Sequence, residues 1–267
     1  MAFDLDAYLE RIDWTGELRP DLKTLAGLLD AHMSHIPFEN LDVLLGRGVR
    51  LDIEAVQRKL VAARRGGYCF EHCTLFAAAL EAIGFAPVRH TARVVVVASR
   101  KESPRTHMFL TVPVAEGTFV VDPGFGALAP RVPVPLVDEA KVSAGTETHW
   151  MAHDGGVWVL RTQTADKAVD CWVSAVEDDN LIDFEVGNHF TATHPSSSFV
   201  NRLMLRALTD EGRVSVMNRD VTIRRGAEVQ MLQLPDRAAL RALLAEHFGF
   251  DLPEAEGIRV PTIDEWR

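Results

Sequence analysis

Cysteine is scarce in this chain: Cys69, Cys73 and Cys171 are the three in 267 residues. So few thiols form no disulfide framework, so a reducing, cytoplasmic setting is expected and any cysteine in special surroundings reads as catalytic or metal-binding. Positive charge is also short, with 28 Lys and Arg against 38 Asp and Glu and a formal charge of -10. That balance argues against nucleic acid as a partner, since a phosphate backbone calls for a basic face. Local pairs such as Arg64-Arg65 or Arg224-Arg225 still suit a small phosphorylated ligand. No apolar run is long enough to span a membrane, because Asp122 and Arg131 interrupt the longest candidate, and no membrane partner is expected. The opening MAFDLDAYLERIDW carries acids early and lacks the cationic-then-apolar layout of a secretory signal. Internal repeats and low-complexity segments are absent. What remains is the balance of a globular protein, 47% hydrophobic and 25% charged, sized for one large domain or two to three small ones.

Three stretches differ in pattern. As far as about Gly84 the chain reads as helical. Asp4–Ile12 is short and amphipathic; Pro20 opens a helix to about His35, with Leu22, Leu25, Leu28 and Leu29 at helical spacing. Asp52 is a natural N-cap for Ile53–Ala63, and Gly84 ends a helix that begins near Cys69. From Phe85 to Val173 the pattern switches to strands: Arg93–Ala98, Met108–Val112, Thr118–Val121, Val157–Leu160 and Val169–Val173. Such closely spaced strands suggest a small antiparallel barrel or sandwich. A helical segment near Asp178–His189 precedes a second strand set over Leu203–Thr209, Arg213–Asn218, Val221–Arg225 and Glu228–Gln233. A last helix covers Asp236–Phe248, and the acidic tail from Pro253 reads as loosely held.

The stretch richest in chemistry is Arg64-Arg65-Gly66-Gly67-Tyr68-Cys69-Phe70-Glu71. Paired glycines let a backbone turn sharply and approach a ligand closely. A helix follows at once, so Cys69 sits at a helix N-terminus, where amide N–H groups and the dipole favour a thiolate. The alternative is a buried cysteine packed as a small hydrophobe. A thiolate nucleophile needs a base and a group that orients it. His107 begins the strand HMFLTV and Asp122 ends TFVVD. In a hairpin looping over Pro113–Glu116, Val112 faces Gly117 and His107 faces Asp122; one further loop residue sets Asp122 opposite Met108. After Asp122, Pro123-Gly124-Phe125-Gly126 offers glycine amides that can cradle a diphosphate, or simply a turn.

These residues resemble the arylamine N-acetyltransferase family. Arg65–Glu71 (RGGYCFE) is similar to its nucleophile motif and Ile36–Leu41 (IPFENL) to its upstream signature. Thr106-His107-Met108 and Val121–Gly126 (VDPGFG) fall where the family places its catalytic His and Asp, and Ala192–Phe199 resembles a further segment. The likeness runs to about residue 235. It implies an α+β fold: a helical bundle over 1–84, an antiparallel β-barrel over 85–188, an α/β lid over 189–267, and a cysteine-protease-like Cys-His-Asp core. It also implies a ping-pong reaction in which acetyl-CoA acetylates Cys69, then an aromatic amine or hydrazine accepts the acetyl group, a chemistry of xenobiotic metabolism. His107 would be the base and Asp122 its orienting acid. Thr106, Gly124, Phe125 and Gly126 match stretches that approach substrate or CoA. Phe38, Phe70, Phe125 and Phe199 match the acceptor pocket, with core packing an equal reading for Phe70. Glu39 and Arg65 resemble the family's structural ion pair.

Two residues depart from the pattern. Cys73 stands where the family usually has Asn, one helical turn from Cys69. With His72 it makes C-x2-H-C, but three groups along a single turn cannot surround a tetrahedral ion, so no metal is expected. A Cys69–Cys73 disulfide would be strained, which leaves Cys73 as a small packed residue. Pro123 removes an amide next to the glycine loop, which bears on the diphosphate contacts. Rival functions are a cysteine hydrolase or amidase, an amide synthase using a larger acyl thioester, and a non-catalytic binder.

Overall fold

The computed structural model describes residues 3–145, 147–164, 167–209 and 212–266. Its first third is helical because aspartates start helices where the leucine spacing begins. Asp4 accepts from the Ala7 N–H to open α1 (Leu5–Arg11), and Asp21 accepts from Thr24 to open α2 (Leu22–His35). A two-residue strand, β1 (Phe38–Glu39), leads into α3 (Leu41–Leu44). Asp52 caps α4 (Ile53–Gln57), which loosens into a π-helical turn over Arg58–Ala62 instead of continuing as one α-helix to Ala63. The longest helix, α5 (Cys69–Ile83), stops at Gly84, whose φ of 105° only glycine adopts freely. Both ends of α5 are wrapped: Phe70, Cys73, Leu75, Phe76 and Leu80 are all buried, with Tyr8, Leu25 and Leu28 packed around them.

The strands that follow are β2 (Val88–Val94), β3 (Arg105–Val114), β4 (Gly117–Val121), β5 (Val134–Pro135), β6 (Val142–Ala144), β7 (Glu147–Asp154), β8 (Val157–Gln163) and β9 (Ala168–Ser174). They form one antiparallel sheet in the order β5-β4-β3-β2-β9-β8-β7-β6. The sheet curls until the chain just past β5 meets β7, where Asp138 bridges Met151, so the barrel is nearly closed. Trp172, Phe109 and Leu160 fill its interior. After α6 (Leu181–Thr193) and α7 (Ser198–Asn201), four hairpin-linked strands complete a second sheet: β10 (Met204–Thr209), β11 (Gly212–Met217), β12 (Asp220–Arg225) and β13 (Glu228–Gln233). Its fifth member is β1, which pairs Phe38 with Arg206 and Glu39 with Leu205 and so ties the helical start of the chain to its end. The last helix, α8 (Arg237–Leu243), runs into a π-helical turn over Leu244–Phe248. Among the described residues no helix is long and apolar enough to cross a membrane.

Two expectations fail, and four strands carry no readable signal. The strand expected at Arg93–Ala98 is Val88–Val94; Val96 and Val97 are exposed loop residues, 91% for Val97, so β-branching there does not mean sheet. Strands β1 and β5 to β7 carry too little apolar alternation to be read. The tail is not loose: Ile258, Val260, Ile263 and Trp266 are buried against the second sheet's core, and Arg237 donates to the Ile258 carbonyl at 2.7 Å. Its acids face outward while its few apolar residues all point in.

Candidate active site

The turn before α5 explains why Cys69 lies where it does. Arg64, not a glycine, takes the left-handed conformation, with φ 51°. Gly66 is needed for closeness, since a Cβ there would run into the Pro37 carbonyl. Around the turn Arg65 binds Glu39 at 2.6 Å and Asp42 at 2.7 Å, and Lys59 binds Asp42 at 2.9 Å and Glu71 at 2.8 Å. Glu71 also accepts from the Tyr68 N–H at 3.1 Å. Three carboxylates and two cations, with Glu39, Arg65 and Glu71 buried and Asp42 and Lys59 partly so, thus clamp the start of α5. The Tyr68 phenol reaches across to Asn188 of α6.

Cys69, at the first position of α5, is 3% exposed, with its sulfur 3.9 Å from the Thr106 carbonyl. The next residue, His107, turns its ring so that Nε2 donates to Asp122 Oδ2 at 2.8 Å. The hairpin register differs from both expected ones. The turn is two residues long, pairing Val114 with Gly117 and Leu110 with Val121, which would set Asp122 opposite Phe109. His107 and Asp122 are therefore diagonal neighbours on one face, and their side chains span the offset. Asp122 Oδ2 also accepts from the Trp172 indole N–H at 2.9 Å. Burial alone pushes the His107 imidazolium down, but the Asp122 carboxylate and the Cys69 sulfur more than offset it and raise it to about 10. A cation is thus held beside the sulfur. At the start of α5 the Glu71 carboxylate reaches back to cap the Tyr68 N–H.

In front of Cys69 opens a cavity of about 710 Å³, a size that suits a small molecule. Phe38, Thr106, Gly124, Phe125, Gly126 and Phe199 all line it, with Cys69 and His107. Gly124 must be glycine because a Cβ there would collide with the Cys69 backbone. Phe70 does not belong to this wall. It is fully buried, its ring against Tyr68 and Gly187, because one step along α5 turns it about 100° from Cys69 into the core.

The neighbours of Cys69 diverge. Cys73 donates its thiol hydrogen to the Met108 carbonyl at 3.1 Å, and burial raises it well above its ordinary value. His72 turns to His32 at 2.8 Å and to the Pro37 carbonyl at 3.2 Å. Among the described residues no three potential metal ligands gather. Trp172 and the cavity residue Phe190 gave no signal in the sequence: a lone tryptophan in a strand names no partner, and its contact with Asp122 spans 50 residues.

The family model described as N-acetyltransferase matches residues 21–257. The arylamine N-acetyltransferase of Mycolicibacterium smegmatis is 36% identical over 263 residues, covering 96% of this chain and 95% of that one. That of Escherichia coli K12 is 34% identical over 254 residues, 94% and 90% of the two chains. The solved structure of Mycobacterium marinum arylamine N-acetyltransferase superposes with a TM-score of 0.89 at 34% identity, covering 94% of each chain, and a second structure of it, in complex with CoA, does the same. By sequence and by fold, this chain belongs to the arylamine N-acetyltransferase family.

Proposed function

We propose that the chain moves an acetyl group from acetyl-CoA to an aromatic amine or hydrazine by a ping-pong route through a thioester on Cys69. The observation that carries this is the buried His107–Asp122 pair, whose imidazolium is raised to about 10, set against Cys69 on the wall of an aromatic-lined cavity. The sulfur attacks the thioester carbonyl, and the first-turn amides of α5 receive the oxyanion. As the carbon–sulfur bond to CoA breaks, His107 gives its proton to the leaving thiolate, which leaves acetyl-Cys69 and a neutral imidazole. The incoming amine attacks the acetyl carbon, His107 takes its proton, and Cys69 departs as thiolate beside a restored imidazolium. Asp122 keeps the ring oriented throughout.

Thr106, Gly124, Phe125 and Gly126 border the path of the acyl donor, while Phe38, Phe125 and Phe199 offer flat faces to the acceptor ring. The work divides among three units: 1–84 with the nucleophile, 85–188 with the base and its acid, and 189–267 covering the cleft. Following CoA release tests the route. Without amine, one equivalent per active site appears and stops; with an arylamine, release continues. Steady release without amine would identify a hydrolase instead.

A further inference from the structure

The cavity wall facing the nucleophile loop carries a charge that the acetyl-transfer chemistry leaves unused. Arg206 lies on β10, between Met204 and Leu208 on one face of the strand, while Leu205 and Ala207 pack into the core on the other. Position 206 is thus one where the pattern calls for an apolar side chain. The residue is only 6% exposed, yet its Nε and Nη1 have no hydrogen-bond partner, and no described residue forms an ion pair with it. Glu147 is the nearby acid, but it is held by Arg213 at 2.5 Å, and Asp30 is likewise held by Arg131 at 2.5 Å. Burial pushes Arg206 down to about 10; Glu147 opposes this, and Arg213 and Arg131 add to it.

A buried guanidinium without a counter-charge is among the least favourable arrangements a core can contain. Where a sequence breaks local rules so plainly, the compensation is expected from a ligand. The surroundings fit one. In the sheet register Arg206 stands beside Ser215, and Ser215 beside Thr222, so three polar side chains form a row, and all three line the main cavity. At the other end of the row Arg206 pairs with Phe38, whose ring touches the space a Cβ on Gly126 would fill. Arg206 also borders a pocket of about 20 Å³ beneath Pro123 and Gly126. The row therefore begins under the loop that follows Asp122.

We infer that Arg206, with Ser215 and Thr222, is an oxyanion-recognition subsite that binds a negatively charged group of a ligand in the cavity. The planar fork of the guanidinium suits a carboxylate or a phosphate in bidentate contact, and the hydroxyls supply further donors. Two ligands can present such a group: an aromatic amine bearing a carboxylate, or the phosphate-rich end of the acyl donor. The subsite rests on the acetyl-transfer reading only for the identity of those ligands.

The test is calorimetric binding to the resting enzyme, which needs no turnover and so separates failure of the subsite from failure of the transferase reading. The probes are 4-aminobenzoate against 4-aminobenzamide, and CoA against pantetheine, for the native chain, Arg206→Met and Arg206→Lys. The first pair shares its shape and differs in negative charge; pantetheine lacks the phosphates of CoA together with its adenosine. In Arg206→Met, the preference for the charged member of one pair falls roughly tenfold or more; Arg206→Lys, with charge but no fork, falls less. Loss within the benzoate pair assigns the subsite to the amine, and loss within the CoA pair assigns it to the donor. If neither preference changes in either variant, the inference is overturned. Should Arg206→Met fail to fold, Arg206→Lys together with Ser215→Ala in the same assay decides.

Discussion

Trp172 donates its indole N–H to Asp122 Oδ2 at 2.9 Å, the same oxygen that accepts from His107. The indole is itself fixed by stacking on Phe109, with ring centroids 4.1 Å apart. The orientation of the acid is therefore set by the barrel interior, from β9, which is 50 residues away in sequence and separated from the hairpin by β2. Trp172→Phe keeps the stack and removes the donor. In this variant kcat/KM should fall roughly tenfold with little change in the amine KM. The pH profile of the variant should shift, which a purely structural tryptophan would not cause.

Asp122→Asn removes the charge that holds His107 as a cation. A raised histidine stabilises the fold fully below its ordinary range, and this contribution is lost as pH rises through about 10. Without Asp122, burial is opposed by the Cys69 sulfur alone, so His107 should titrate well below about 10. Ring-nitrogen NMR shifts across pH 4 to 11 report this directly. The accompanying loss in kcat should be on the order of 10³-fold or more.

A second buried pair responds in the opposite sense. His72 Nε2 faces the Pro37 carbonyl and so donates; its Nδ1 then accepts from His32 Nε2, and His32 Nδ1 accepts from the Tyr8 hydroxyl. Both rings are neutral in this chain of bonds. Burial pushes His72 down to about 4 and His32 well below its ordinary value. Their contribution to stability is complete above the ordinary histidine range, about 6.5, and is lost as pH falls toward about 4. Urea midpoints should drop over that window in the native chain, and His32→Phe should flatten the dependence.

Removing the tail from Pro253 onward should be severe. Trp266 and Val260 are buried, Val260 donates to the Trp266 carbonyl at 2.8 Å, and Arg237 lies over the Trp266 ring. Losing four large buried side chains costs on the order of 5 kcal/mol or more. Thermal melting of the truncated chain should show an early transition or none.

How far these features were legible depends on how local their causes are. Asp4, Asp21 and Asp52 start helices by bonding amides three residues on, and Gly84 ends one by its own φ, so the helical third could be read directly. The hairpin register could not, because whether Pro113 and Val114 belong to the turn or the strand is decided by pairing, and that choice moved Asp122 relative to His107. Val96 and Val97 look like strand and form loop, since β-branching reports a half-buried surface that never forms there. Phe70 sits beside Cys69 in sequence, but helical rotation takes it to the core. Trp172 and Arg206 matter through contacts that only folding creates.

The most direct measurement is intact-protein mass spectrometry after brief exposure to acetyl-CoA without amine, followed by peptide mapping. Cys73 is raised by burial and bonded to Met108, and Cys171 is pushed up to about 12, so neither offers a competing thiolate. The expected result is a single acetyl group on Cys69 that disappears when an arylamine is added. An adduct confined to Cys73 or Cys171, or no adduct at all, would contradict it.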